Sequence, residues 1–273
     1  MVFSQEKNRR RAFGQNFLID QGVVDSLLSD IPCDKQDWII EIGPGNGALT
    51  RGLMGKAGRM TVIEIDPRLV ERLRKKKEFS SLHLMQSDAG SIDIDALLRE
   101  EKDRPLKPVL VGNLPYNKSG PILRHFIPSI KKFQFMYFMV QYEVAKRITA
   151  LPHNRDFGFL SILVQNHAFV ELKQKIPPSA FRPRPKVFSA TITLSPKAQP
   201  HEDDPMFLPF VRQAFTQKRK KLVNSLQSVC RRSTVLKALN ELDLPENFRP
   251  EDLSVKNFAA LYRILKKDLG MHL

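Results

Sequence analysis

Two apolar runs separated by a glycine-rich turn and one short helix constrain this chain more than any other stretch. Trp38-Ile39-Ile40-Glu41-Ile42 reads as a strand, Gly43-Pro44-Gly45-Asn46-Gly47 as a tight turn, residues 48–56 as a helix, and Met60-Thr61-Val62-Ile63-Glu64-Ile65 as a second strand. Strand, crossing helix and strand in so short a span make a βα unit of an open, parallel α/β sheet, whose buried strands are almost continuously apolar. Glycines in the turn let the backbone approach a ligand. Glu64 lies 21 residues after Gly43, where an acid can accept both hydroxyls of a ribose. The G-x-G-x-G spacing departs from the dinucleotide G-x-G-x-x-G, so the turn indicates a nucleotide without saying which.

Leu82 to Gln86 reads as a third strand, followed by Ser87-Asp88-Ala89. Asp88 there suits the amine of an adenine, or simply a helix cap. A fourth strand, Val109-Leu110-Val111, breaks at Gly112-Asn113-Leu114-Pro115-Tyr116. Sites in open α/β sheets lie outside the carboxyl ends of strands, which is where this loop falls. Asn113 offers a side-chain carbonyl, Pro115 a backbone carbonyl, and Tyr116 a flat ring. Two acceptors over a ring suit the exocyclic amine of a nucleobase stacked on Tyr116. The bland alternative is a strand-to-helix turn that merely uses Asn and Pro.

Further on, residues 119–130 predict a helix broken by Pro121 and Pro128, 133–140 an apolar fifth strand, and 142–150 and 156–165 two helices. Residues 168–175 alternate like an edge strand, and Val187 to Leu194 reads as a last strand antiparallel to it. Between them, Ile176 to Lys186 holds four prolines that forbid regular structure and stiffen a loop carrying Phe181 among Arg182, Arg184 and Lys186. A ring beside cations suits base stacking with phosphate contacts. Residues 195–204 read as a linker, and helical periodicity follows, with Lys218-Arg219-Lys220-Lys221 between the first helices. Asp20 caps a helix over residues 21–30, and residues 6–12 form a basic arm. The domains are thus 1–195, a nucleotide-binding domain, and 205–273, a small helical domain expected to contact nucleic acid.

Lys and Arg total 44 against 29 Asp and Glu, a net charge of +15 that points to a polyanionic partner. The excess is uneven: residues 1–119 hold 19 basic and 17 acidic side chains, whereas 120–194 hold 11 and 3. A nucleic acid therefore belongs over the later part and a cofactor in the balanced first part. Two distant cysteines form no disulfide framework or zinc pattern, and no apolar run approaches the ~18 residues of a membrane span. The expectation is a cytoplasmic protein without metal or membrane contact.

Phe13-Gly14-Gln15-Asn16-Phe17-Leu18, Glu41 to Gly47, Glu64-Ile65-Asp66, Asp88-Ala89, Asn113-Leu114-Pro115-Tyr116 and Pro177-Pro178-Ser179-Ala180-Phe181 together resemble the ribosomal RNA adenine dimethyltransferases of the bacterial KsgA (RsmA) type. The resemblance covers nearly the whole chain. It implies a class I S-adenosylmethionine-dependent methyltransferase fold, Rossmann-like with a seven-stranded sheet, plus a small C-terminal all-α domain. It implies S-adenosylmethionine as methyl donor and, as substrate, two adjacent adenosines in a 3′-terminal hairpin of 16S rRNA within the small ribosomal subunit. Carried over by position, Gln15, Asn16, Leu18, Gly43, Gly45, Glu64, Ile65, Asp88, Ala89 and Asn113 hold the cofactor, while Asn113, Pro115, Tyr116 and Phe181 act on the adenine. Arg182, Arg184, Lys186, Lys218, Arg219, Lys220 and Lys221 meet RNA, and the chain works as a monomer. It departs from the family pattern at Arg182 and Arg184, and at Phe188, where an acid is frequent.

Three other readings share some of these features. One is an Erm-type methylase of a single 23S rRNA adenine. Another is an NAD-dependent oxidoreductase, disfavoured by the glycine spacing and the basic excess. The last is a ribosome-assembly factor that acts by RNA binding alone.

Overall fold

The computed structural model describes residues 15–99 and 106–267. The basic arm at 6–12, Phe13 and Gly14 lie outside the described residues. In chain order the elements are β1 (Phe17–Leu18), α1 (Gln21–Asp30), β2 (Asp37–Ile42), α2 (Ala48–Lys56), β3 (Arg59–Glu64), α3 (Pro67–Arg74), β4 (His83–Gln86), α4 (Ile94–Arg99), β5 (Lys107–Asn113), α5 (Ser119–Phe126), β6 (Phe135–Gln141), α6 (Tyr142–Thr149), α7 (Phe159–His167), β7 (Ala168–Ile176), β8 (Phe181–Arg182) and β9 (Ser189–Pro196). Four helices follow: α8 (Phe207–Phe215), α9 (Leu222–Ser225), α10 (Arg232–Glu241) and α11 (Val255–Leu265).

Seven strands form one sheet in the order β4-β3-β2-β5-β6-β9-β7. The pairs from β4 through β6 are parallel, and β9 runs antiparallel to β6. The central strands are mostly apolar because both faces are covered: Val109, Leu110 and Val111 of β5 are fully buried. Each such side chain contributes about 1.5–3 kcal/mol relative to exposure. The buried Trp38 indole N–H on β2 is paired, donating to Thr61 Oγ1 on β3 at 2.9 Å.

β7 stands at the edge of the sheet as its alternation predicts, with β9 between it and β6. Two local expectations change. Pro121 does not break α5, since a proline in the first turn removes no intrahelical bond; Pro128 does, and the chain continues as a 3₁₀ turn over Ile127–Lys132. The proline loop is not wholly irregular. Pro178–Ala180 is a 3₁₀ turn, and β8 pairs antiparallel with β1 through Phe17–Arg182 and Leu18–Phe181.

The chain divides into two compact units: the residues up to Ala145 with Val170–Pro196, and Lys146–Phe169 with the residues from Lys197 onward. A boundary drawn at 195 therefore omits a segment from the helical unit. Ala150, Phe157 and Ile162 supply that unit's core beside Phe207, Phe210, Leu239 and Phe258, an attachment that linear periodicity cannot display. The presumed linker is also fastened to this unit. Glu202 and Asn166 exchange two hydrogen bonds, and Arg263 Nε reaches Glu202 Oε2 at 2.7 Å. Among the described residues no helix is long and apolar enough to cross a membrane.

Candidate active site

From β2 the chain winds toward β3 and β4, whereas β5 lies on the other side of β2. This reversal opens a crevice at the carboxyl ends of β2 and β5, the usual ligand position in such sheets. Register places Ile42 opposite Gly112, so the glycine turn after β2 sits beside Asn113 at the end of β5. Gly43, Gly45 and Gly47 all have positive φ, and a Cβ on Gly45 would come within 3.0 Å of the Phe17 ring. The turn thus needs glycine both for its backbone and for the approach of β1.

One cavity gathers residues from five separate stretches. Gln15, Asn16 and Leu18 line it with Gly43, Gly45, Glu64 and Ile65, and so do Asp88, Ala89, Asn113, Pro115 and Tyr116. Its acids differ in setting. Glu64 is buried, accepts from the Asp66 N–H at 2.9 Å, and burial pushes its carboxyl up. Asp88 Oδ1 accepts from the Gly90 N–H at 2.8 Å in a turn, not as a helix cap; Oδ2 lies 3.9 Å from Lys118 Nζ. Gln15 donates to Asp66 Oδ2 at 3.3 Å, and Asp66 is clamped by Arg68 at 2.7 Å. This donor set, with acids after the second and third strands of the parallel run and a backbone turn shaped by glycine, fits a nucleoside with two ribose hydroxyls and a base amine.

The Asn113 amide nitrogen donates to the Asn16 carbonyl at 3.3 Å. That bond sets the amide's orientation and leaves Oδ1 as an acceptor. Asn16 is in turn held because β1 pairs with β8 and the Ile19 N–H donates to the Ala180 carbonyl at 2.9 Å. The amino-terminal motif and the proline loop therefore act together on Asn113.

The reading of Pro115 as second acceptor needs correction. Its carbonyl already accepts from the N–H groups of Lys118 and Ser119, both at 2.9 Å, as the chain turns into α5. Both lone pairs are engaged. Leu114 instead carries the available oxygen: its N–H donates to Met139 O at 3.0 Å, and its carbonyl accepts from no described residue. The Tyr116 hydroxyl lies 2.6 Å from Ser189 Oγ, which pins the ring, and burial pushes its phenol up.

Phe181 needs correction as well. It is 3 % exposed, packs in the core with Leu18, Ile176 and Ala180, and is absent from the cavity wall. A large apolar side chain in a proline loop follows the hydrophobic gradient inward; the ring holds β8 against β1 instead of offering a face to a base. Arg182, Arg184 and Lys186 are exposed beside it. In the helical unit Arg219, Lys220 and Lys221 are exposed and line a concavity with Arg155 and Arg249. Lys218 differs from its neighbours: its ammonium donates to the carbonyls of Arg155 at 2.5 Å and Phe157 at 2.6 Å, so it braces the unit instead of facing a ligand.

Sequence reasoning quoted Glu41 within a motif but gave it no role at the site. It is 1 % exposed, lines the cavity, accepts from Thr50 Oγ1 at 2.7 Å, and is pushed up to about 7 by burial. A lone acid inside an apolar strand was the available signal.

Comparison with known proteins agrees with this geometry. The sequence matches ribosomal RNA adenine dimethylase over residues 6–267. It is 40 % identical over 256 residues to the ribosomal RNA small subunit methyltransferase A of Pseudomonas aeruginosa, covering 92 % of each chain. The fold is similar to a dimethyladenosine transferase from Plasmodium falciparum, with a TM-score of 0.77, 23 % identity, and 92 % of this chain and 98 % of that one covered. It is also similar to the 23S rRNA methyltransferase ErmE, with a TM-score of 0.66, 23 % identity, and 92 % and 100 % covered. With its sheet topology, the crevice at the β2–β5 reversal and the match along almost its full length, the chain belongs to the ribosomal RNA adenine dimethylase family.

Proposed function

We propose that this enzyme dimethylates the exocyclic amines of two adjacent adenosines in a 3′-terminal hairpin of 16S rRNA, using S-adenosylmethionine, as a step in small-subunit biogenesis. The observation that carries the reading is the pair of adjacent acceptors, Asn113 Oδ1 and the Leu114 carbonyl, beside the half-buried Tyr116 ring. When bound, S-adenosylmethionine supplies an electrophilic methyl on a sulfonium. Glu64 would accept its ribose hydroxyls, Asp88 its adenine amine, and the turn at Gly43 and Gly45 would lie against its backbone-facing edge.

The target amine is a weak nucleophile because its lone pair is delocalised into the purine. Accepting both hydrogens at Asn113 and Leu114 turns the nitrogen toward sp³ and frees that lone pair. The positive charge that grows on nitrogen meets two oxygen dipoles and the face of Tyr116. No strong base is required, and the proton leaves to solvent. Before any of this the adenine must leave its stack, at a cost of a few kcal/mol that stacking on Tyr116 partly offsets. After one methylation a single N–H remains, so one acceptor loses its partner and the second transfer works with weaker orientation. Arg182, Arg184, Lys186, Arg219, Lys220 and Lys221 would contact phosphates in a monomeric, cytoplasmic enzyme.

The test is methyl transfer to ribosomal subunits that lack the modification, followed by mapping of the modified nucleotides. Label in two adjacent adenosines of 16S rRNA is expected. Label in 23S rRNA instead, or none in either, would overturn the proposal.

A further inference from the structure

Phe188 takes no part in the cavity or in the proposed chemistry. It is 44 % exposed, directly after the exposed Lys186 and Val187 and directly before the buried Ser189. Its backbone is fixed, because the Phe188 carbonyl accepts from the Tyr142 N–H at 2.9 Å. Its ring is fixed too. The Lys175 ammonium lies 4.3 Å from the Phe188 ring centroid and 4.7 Å from that of Tyr142, bridging two aromatic faces with one cation. Ser189 places this assembly beside the reacting loop, since Ser189 Oγ touches the Tyr116 hydroxyl at 2.6 Å. Phe188 directly precedes that contact, as the last residue of the loop that enters β9 at Ser189.

An apolar ring held at the surface, with its rotamer restrained by a cation, is costly to leave wet and cheap to stack upon. The exposed cations just before it, Arg184 and Lys186, favour a polyanion over an apolar partner. We infer that Phe188 is a stacking platform for an unpaired RNA base flanking the target adenosine, with the Lys175 cation backing the ring. The inference rests on the proposed RNA substrate and adds a specificity-determining contact outside the cavity. A ring that stacks on a neighbouring base fixes the register of the hairpin loop and so determines which adenosine reaches Tyr116.

A double-mutant cycle in binding tests this without requiring turnover. The affinity of the 16S 3′-terminal hairpin is measured for wild type, Phe188→Ala, Phe188→Leu and Phe188→Tyr, using the intact hairpin and hairpins made abasic at single loop positions. Because the side chain is exposed, all variants should keep the wild-type melting temperature and S-adenosylmethionine affinity. The expected result is about tenfold weaker binding for Phe188→Ala, the scale of one stacked base. Phe188→Leu should lose nearly as much, and Phe188→Tyr should bind as wild type. One abasic position should weaken wild type about tenfold yet leave Phe188→Ala unchanged. Equal affinity for Phe188→Ala and wild type, or additive losses at every loop position, overturns the inference, as does full retention by Phe188→Leu. A wild-type protein that shows the coupling but methylates no RNA would instead sink the functional reading and leave the platform standing. Failure of wild type to bind the hairpin at all would overturn the platform, while the functional reading would still be decided by methyl transfer to ribosomal subunits.

Discussion

The side-chain amide of Asn113 donates to the main-chain carbonyl of Asn16, 3.3 Å away and 97 positions earlier in the chain. An amide left free would present its N–H₂ or its carbonyl to an incoming amine with equal ease. Here the N–H₂ end is engaged, so the oxygen is the end left to accept. This turns a residue that sequence reasoning identifies by type into one with a defined direction.

Replacing Asn113 with Ala removes that acceptor while leaving the Leu114 carbonyl. Methyl transfer should fall by at least about a thousandfold, the scale of losing an oriented donor or acceptor in a transition state. S-adenosylmethionine affinity should drop only a few-fold, as measured by calorimetry. Single-turnover rates near wild type would remove Asn113 from the chemistry.

Tyr116 separates ring from hydroxyl. Tyr116→Phe keeps the face but leaves the buried Ser189 hydroxyl without its 2.6 Å partner. The cost should be about 1–2 kcal/mol in stability with transfer slowed only a few-fold. Tyr116→Ala should slow transfer far more. Chemical denaturation and single-turnover assays on the two variants distinguish these effects, and equal rates in both would show that the ring contributes nothing.

Phe181→Ala is expected to act through the core. The ring is buried among Leu18, Ile176 and Ala180, and truncating a buried Phe costs about 3–5 kcal/mol. Phe181→Leu should recover most of that stability, and methyl transfer with it. If Phe181→Leu proved as stable as wild type yet inactive, the ring would have a direct role in catalysis that its burial does not suggest.

Glu41 makes stability depend on pH. Burial raises its carboxyl from 4.5 to about 7 in the folded chain. The folded state therefore holds a proton that the unfolded state has released, and stability declines as pH rises from about 4.5 to about 7, then levels off. The decline is on the order of 3 kcal/mol. Glu64, pushed the same way by burial, adds to it with the same sign. Glu41→Gln keeps an acceptor for Thr50 and cannot ionise. Its melting temperature should exceed that of wild type above pH 7 and converge with it near pH 4.5. Parallel curves for the two proteins would show that Glu41 does not titrate in this window.

Much of the fold was legible in the chain. Continuous apolar runs, the glycine turn and the acids after the second and third strands marked parallel strands and their carboxyl ends, because those features follow from local geometry. That Asn113, Glu64 and Asp88 line one cavity was legible for the same reason: each lies at or just past a strand's carboxyl end, and a strand's end is a local property. What local pattern does not carry is the partner of each free group. That Pro115 spends its carbonyl on the first turn of α5, leaving the Leu114 carbonyl open, depends on how the chain turns after β5. That Phe181 faces inward while Phe188 faces solvent depends on β8 pairing with β1 and on the insertion of β9 between β6 and β7. The segment around Phe157 joins the helical unit for a similar reason, since its apolar face is completed by residues that lie far along the chain. Residue types and their spacing determined which chemistry this protein contains. Long-range pairing, set by the burial of apolar faces and the satisfaction of backbone groups, decided which atoms were left to perform it.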